Sequence, residues 1–98
     1  MTIRMEKQAN SLTLAPEGRL DTLSAPELEK TIKENLDGVI SLTFDLAGLE
    51  YVSSAGLRVL LSAQKAMNVQ GEMKVCHVNE TIMEIFEVTG FSDILTIE

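Results

Sequence analysis

The sequence predicts an α/β sandwich: a central mixed β-sheet of about five strands with helices packed mainly on one face. Two observations lead to this fold class. Near the N-terminus, polar and apolar residues alternate on both sides of a short turn, which indicates an antiparallel hairpin. Behind it, strand-like and helix-like segments alternate, as in parallel strands joined by right-handed crossovers. With 98 residues and no linker or repeat, we expect a single domain spanning residues 1–98.

The hairpin is expected to pair residues 2–7 with residues 11–15, across a turn at residues 8–10. Directly after it, Pro16, Glu17 and Gly18 interrupt the second strand or mark a bulge, because proline cannot donate a ladder hydrogen bond and glycine is typical of bulges. Two further residues then continue the strand.

The first helix is expected to begin at Ser24. Ser24 would be the N-cap, Pro26 would lie in the first turn, and Glu27 would complete a capping box three residues after the cap. Gly38 would end this helix.

A strand over residues 39–46 follows, with one face formed by Ile40, Leu42, Phe44 and Leu46. The second helix is predicted over residues 54–68, with a buried apolar stripe formed by Ala55, Gly56, Val59, Leu60, Ala63, Ala66 and Met67. Helical rotation places Leu57 and Leu61 outside this stripe. They are therefore expected either to be core, if both sides of the helix are covered, or to form an exposed apolar patch that docks a partner.

The C-terminal third is predicted as a strand over residues 72–78, then a helix capped by Asn79 that ends at Val88. A last helical turn over residues 91–94 and an edge strand over residues 95–97 would complete the fold.

Charge and composition exclude several functional classes. Fifteen acidic and eight basic residues give a net charge of −7, which argues against direct nucleic-acid binding because neutralising phosphates needs clustered lysine and arginine. A single cysteine, Cys76, allows no internal disulfide and indicates a reducing compartment. Neither a signal peptide nor a membrane-spanning run occurs, so we expect a cytoplasmic location without membrane insertion.

Metal and cofactor sites are not predicted. The only histidine, His77, is adjacent to Cys76 in a predicted strand, where neighbouring side chains point to opposite faces and would not share an ion. The chain also lacks a P-loop motif and a G-x-S-x-G elbow, so we expect a binding module and no enzyme.

Residues 45–61 contain the most informative stretch, D-L-A-G-L-E-Y-V-S-S-A-G-L-R-V-L-L. A strand end and a short loop lead here into a helix that starts at Ser53 or Ser54. A hydroxyl at this position can cap the first N–H groups, and the helix dipole favours a negative charge on it. From spacing alone, either serine serves as the cap, and the position tolerates a phosphate.

This stretch resembles the signature of STAS domains of the anti-sigma factor antagonist family. G-R-L-D-T-L-S-A-P at residues 18–26 and I-F-E-V-T-G-F at residues 85–91 recur in the same order in that family, so the resemblance covers nearly the whole chain. It implies a STAS-like sandwich and a phosphoacceptor two residues before the glycine, which is Ser54 before Gly56. Ser53 stands where aspartate is common in the family, which makes it a second candidate.

The resemblance also implies partners. They would be an anti-sigma factor serine kinase of the GHKL type, which holds the ATP itself, and a phosphoserine phosphatase. Asp21 reads as a turn carboxylate by itself, but its match to the family's G-x-x-D suggests that it lies beside the phosphorylated serine and contacts the kinase. Asp45, at a strand end, ranks below it. The expected partner-binding residues are Asp21, Ser53, Ser54, Leu57, Arg58 and Leu61.

Two functions follow from the resemblance. In the first, the unphosphorylated domain sequesters the kinase and releases a sigma factor, and phosphorylation of Ser54 reverses this. In the alternative, the domain is a STAS module of another assembly: stressosome-like, associated with a transporter or with lipid trafficking, or nucleotide-binding.

Overall fold

A computed structural model describes all residues, 1–98, as five strands, three α-helices and one 3₁₀ turn. In chain order these elements are β1 (Thr2–Gln8), β2 (Ser11–Leu20), α1 (Ala25–Asn35), β3 (Ser41–Asp45), β4 (Leu49–Val52), α2 (Ser54–Gln70), β5 (Glu72–Cys76), α3 (Glu80–Thr89) and the 3₁₀ turn (Phe91–Asp93).

The five strands form one mixed sheet, which confirms the predicted fold class. Its order is β1-β2-β3-β5, and β4 pairs with β2 outside this path. Only β1 and β2 are antiparallel, as the predicted hairpin requires. The other three pairings are parallel. β1 lies at the edge of the sheet, and every residue in it except Ile3 is exposed.

The strand β4 was missed in the sequence, where its residues read as a loop. β2 pairs with β3 over its first four residues and with β4 over its last three, so β3 and β4 follow one another along the same side of β2. Between β3 and β4 the chain makes a turn that starts at Leu46, whose carbonyl oxygen accepts a hydrogen bond from Leu49 N–H at 3.1 Å. The register of β2 shifts between Gly18 and Arg19, which is the predicted irregularity.

One hydrophobic cluster of 22 buried residues fills the space between the sheet and the helices. Strand β3 buries Leu42 and Phe44 completely, and its alternate residues face away from the helices. Ile40, which was predicted on the same face, is 50% exposed. Ile40 precedes the strand. Its backbone N–H donates a hydrogen bond to Asn10 O, and its carbonyl oxygen accepts one from Glu72 N–H.

Helix α2 buries most of the predicted stripe, namely Gly56, Val59, Leu60, Ala63 and Met67, but the buried face is rotated from the predicted one. Leu57 and Gln64 are buried, whereas Ala55 and Ala66 are only half-buried. The side of the helix that carries Ala66, Val59 and Ala63 lines a groove against α1, so the stripe that faces the sheet is rotated toward Leu57. An exposed patch that includes Leu57 is therefore a wrong prediction, because this side chain is only 6% exposed.

The C-terminal elements agree largely with the sequence. The Asn79 side chain accepts from Ile82 N–H at 2.9 Å, and this cap begins α3 as predicted. The expected edge strand over residues 95–97 is reduced to a single bridge between Val75 and Ile97. None of the three helices combines the length and the apolar character that crossing a bilayer requires.

Gly56 sets how closely α2 approaches the sheet, and its replacement tests this packing. A Cβ atom there would lie 2.6 Å from Leu20 Cγ and 2.8 Å from Val52 Cγ2. We expect Gly56→Ala to destabilise the fold by about 1–3 kcal/mol through overpacking. Urea denaturation measures this. Because alanine otherwise favours a helix over glycine by roughly 1 kcal/mol, unchanged or increased stability contradicts the close approach.

Candidate functional site

Two adjacent serines at the start of α2 have different roles. Ser53 is the N-cap in extended conformation: its Oγ accepts from Gly56 N–H at 3.5 Å, and its carbonyl oxygen accepts from Leu57 N–H at 2.9 Å. Ser54 is the first helical residue and is exposed, and its hydroxyl makes no hydrogen bond within the chain. The fold therefore uses the hydroxyl of Ser53 and leaves that of Ser54 free.

Asp21 organises the loop between β2 and α1. Its Oδ1 accepts from the N–H groups of Leu23 at 3.0 Å and Ser24 at 3.2 Å, and Asp21 N–H donates to Ser24 Oγ at 2.9 Å. These reciprocal bonds resemble a capping box, but they lie in the turn ahead of α1, whose N-cap position is Ser24 as predicted. The predicted box between Ser24 and Glu27 is wrong, because Ser24 Oγ is already engaged and makes no cap bond to α1. Its hydroxyl donates to Arg19 O at 2.6 Å.

These hydrogen bonds lower the pKa of the Asp21 carboxyl. The largest cause is the bond from Ser24 N–H, and the bond from Leu23 N–H and the charge of Arg19 act in the same direction. Arg19 Nε lies 3.8 Å from Asp21 Oδ2, and its guanidinium carbon lies 4.4 Å above the ring of Tyr51. Asp21 is thus an anion held by its own loop.

Backbone pairing brings Asp21 and the serines to one edge of the sheet. Leu20 pairs with Val52 at the ends of β2 and β4, and Ser53 N–H donates to Leu20 O at 2.8 Å. Asp21 and Ser53 each follow directly after one member of this pair. The loop between β2 and α1 is therefore a neighbour of the α2 N-terminus.

A shallow groove separates the start of α1 from the first turns of α2. It is lined by Thr22, Ala25, Pro26, Glu29, Ala55, Arg58 and Val59. Arg58 is exposed and forms no ion pair within the chain, whereas Leu61 is half-buried. Of the two leucines predicted on the partner surface, only Leu61 is partly accessible, because Leu57 belongs to the core.

The sequence analysis missed an exposed leucine at this edge. Leu23 lies in the Asp21 loop and is 91% exposed.

A second group of polar side chains lies at the ends of β3 and β5. Asp45 Oδ1 is 3.0 Å from His77 Nδ1, which in turn is 3.5 Å from Cys76 Sγ. Strand alternation should have separated Cys76 from His77. That prediction is wrong because β5 ends at Cys76 and His77 adopts a left-handed conformation with φ of 57°.

The environment shifts two pKa values in this group. The bond from Ala47 N–H, followed by the interaction with His77, lowers the pKa of Asp45. Burial, together with the charges of Asp45 and Glu98, raises the pKa of the Cys76 thiol.

Comparison with known proteins places the chain in a family. The STAS domain model matches residues 2–98, so the chain belongs to the STAS domain family. BtrV of Bordetella bronchiseptica, whose name assigns it to the anti-sigma factor antagonists, is 35% identical over 99 residues, covering 99% of this chain and 85% of BtrV.

Solved structures share the fold. An anti-sigma factor antagonist from Mycobacterium paratuberculosis superposes with a TM-score of 0.88 at 22% identity, covering 98% of this chain and 83% of that one. The Bacillus cell fate determinant SpoIIAA in its phosphorylated form superposes with a TM-score of 0.77 at 15% identity, covering 99% of this chain and 91% of SpoIIAA.

The different roles of the two serines can be tested by stability. We expect Ser53→Ala to lower the free energy of unfolding by about 0.5–1 kcal/mol. This is the lower part of the range for N-cap substitutions, because the cap hydrogen bond is long at 3.5 Å. Ser54→Ala should change stability by less than roughly 0.5 kcal/mol, as for exposed residues without contacts. Chemical denaturation of both variants measures the difference. A larger loss for Ser54→Ala would reverse the assignment of cap and free hydroxyl.

The lowered pKa of Asp21 predicts a pH dependence. A carboxyl with a lower pKa in the folded state stabilises it above the unfolded pKa of about 3.9, and this contribution is lost as the pH falls through the folded value. Asp21→Asn should therefore lower the melting temperature near neutral pH and have less effect in strong acid. Thermal unfolding of the wild type and of Asp21→Asn from neutral to acidic pH measures this effect. A difference in melting temperature that does not change with pH would contradict the prediction.

Proposed function

We propose that this chain is an anti-sigma factor antagonist that binds an anti-sigma factor serine kinase and is released when Ser54 is phosphorylated. The observation that carries the proposal is the free hydroxyl of Ser54 at the exposed first position of α2. A kinase can reach it without unfolding the domain, and Ser53 continues to cap the helix. The names of the similar proteins support the same class of function.

The helix start favours a phosphate on Ser54. N–H groups in a first helical turn have no partner within the helix, and the dipole attracts negative charge. The first turn of α2 contains no acidic residue that would repel the phosphate. Arg58 lies one turn further along, at the spacing at which oppositely charged helical side chains pair, and it has no competing ion pair. A related fold with phosphate attached, that of SpoIIAA, supports this tolerance.

The same phosphate would prevent binding. In the unphosphorylated state the kinase would cover Ser54, Arg58 and the accessible part of Leu61, together with the Asp21 loop beside them. Phosphorylation adds about −1.5 to −2 charges and three acceptor oxygens to the centre of that surface. Burying such an anion against a surface shaped for a hydroxyl carries a large desolvation cost, so the complex dissociates.

The resulting cycle couples phosphorylation to transcription. Sequestering the kinase frees the sigma factor. Phosphorylation of the domain by that kinase separates the domain from the kinase, and a phosphoserine phosphatase restores the form of the domain that binds. ATP is held by the kinase. We assign this cycle to the cytoplasm.

Charge substitution at Ser54 tests the switch. We expect Ser54→Asp to weaken binding to the cognate kinase at least about tenfold, or about 1.4 kcal/mol. Ser54→Ala should bind and accept no phosphate. Ser62→Asp is the matched control, because Ser62 is an exposed serine on α2 two turns further along. Isothermal titration of the kinase with each variant measures the affinities, and equal affinity for wild type and Ser54→Asp argues against the switch.

Incubation with the kinase and ATP, followed by mass mapping, identifies the modified serine. Phosphate on Ser54 supports the proposal. Phosphate on Ser53 instead would assign the switch to the capping residue and overturn the role given to Ser54. Absence of both binding and phosphate transfer would favour a STAS module of another assembly.

A further inference from the structure

We propose that Asp45, Cys76 and His77 form a site for a divalent transition-metal ion of the zinc class. The site lies at the ends of β3 and β5 and is separate from the serines of α2. One possible ligand atom from each residue, a carboxylate oxygen, the thiol sulfur and an imidazole nitrogen, lies within 4.8 Å of the other two. Carboxylate, thiolate and imidazole are the three ligand types that zinc accepts in proteins.

Sheet register explains why two of the ligands meet. Asp45 pairs directly with Cys76 in the parallel β3–β5 ladder, so both side chains lie on the same face of the sheet. That face points away from the helices, since the residues before them, Phe44 and Val75, are completely buried. An ion bound here would be open to solvent on one side.

The backbone of His77 brings in the third ligand. An extended residue would point its side chain to the opposite face, toward the core. The φ of 57° turns the His77 ring back to Asp45 and Cys76. Positive φ is uncommon for residues other than glycine, although histidine, like asparagine and aspartate, adopts it more often than other side chains do. Residues held in this conformation are found disproportionately at functional sites.

The two separations that involve the His77 nitrogen are close to those of tetrahedral coordination. With bonds of about 2.1 Å to nitrogen and oxygen and about 2.3 Å to sulfur, neighbouring ligands lie about 3.4 Å apart for N···O and about 3.6 Å apart for N···S. The corresponding distances here are 3.0 Å and 3.5 Å. A displacement of a few tenths of an ångström would therefore admit an ion, with water as the fourth ligand. Ala47 N–H already orients the carboxylate, donating to Asp45 Oδ1 at 3.0 Å.

A bound ion would add a further link between two segments that the sheet ladder, the Asp45–His77 contact and a hydrogen bond from Asn79 already join. Asp45 precedes the turn into β4, and His77 precedes Asn79, which caps α3 and also donates to Leu49 O at 2.9 Å. The metal would thus fasten the β5–α3 connection to the β3–β4 turn.

Cobalt titration of the untagged, reduced chain tests the site, because cobalt occupies zinc sites and its thiolate bond absorbs in the near ultraviolet. We expect one Co²⁺ per chain, a thiolate band and its loss on addition of Zn²⁺. Cys76→Ser should abolish the band. Asp45→Asn and His77→Asn should weaken binding at least about tenfold, and asparagine tolerates the left-handed backbone at position 77. Thr43→Ala, on the same face of β3, is the control and should bind as the wild type does.

A second measurement needs no variant. Addition of Zn²⁺ should shift the imidazole proton resonances of His77, the only histidine, and raise the melting temperature of the wild type. The proposal is overturned if no cobalt–thiolate band forms in the wild type, if the His77 resonances do not respond to zinc, or if His77→Asn binds cobalt as tightly as wild type.

Discussion

The hydrogen bond from Ser53 N–H to the Leu20 carbonyl oxygen is the contact on which the serine site depends. It extends the parallel β2–β4 pairing by one residue and fixes where α2 begins relative to the loop that carries Asp21. Without β4, the serines would follow a free loop and their position relative to Asp21 would not be defined. Four residues of strand therefore determine the geometry of the whole edge.

Packing and chemistry are assigned to different residues at this edge. Gly56 allows α2 to lie against Leu20 and Val52, and Ser53 caps the helix. Ser54 contributes to neither task, so its covalent modification would leave these contacts in place. Asp21 is also largely structural, because its carboxylate holds its own loop. The same loop carries the exposed Leu23.

The sequence was sufficient for features determined by local chemistry and periodicity. The hairpin, the Asn79 cap and the mixed sheet all followed from such patterns. Features that depend on tertiary contacts could not be predicted from the sequence. β4 is four residues long and exists through its pairing with β2, and the rotation that buries Leu57 depends on how α1 and the sheet cover α2. The contacts of His77 with Asp45 and Cys76 were not predicted, because the alternation of side chains stops where the strand ends and the backbone becomes left-handed.

The edge strand β1 affects how copies of this chain meet in a crowded solution. An uncovered sheet edge offers free backbone donors and acceptors to any other extended chain. Here the edge displays Arg4, Glu6 and Lys7, and Arg4 is paired with Glu17 at 3.1 Å. Hydrated charges must lose water before a second strand can add, so this border resists the open-ended stacking that leads to fibres.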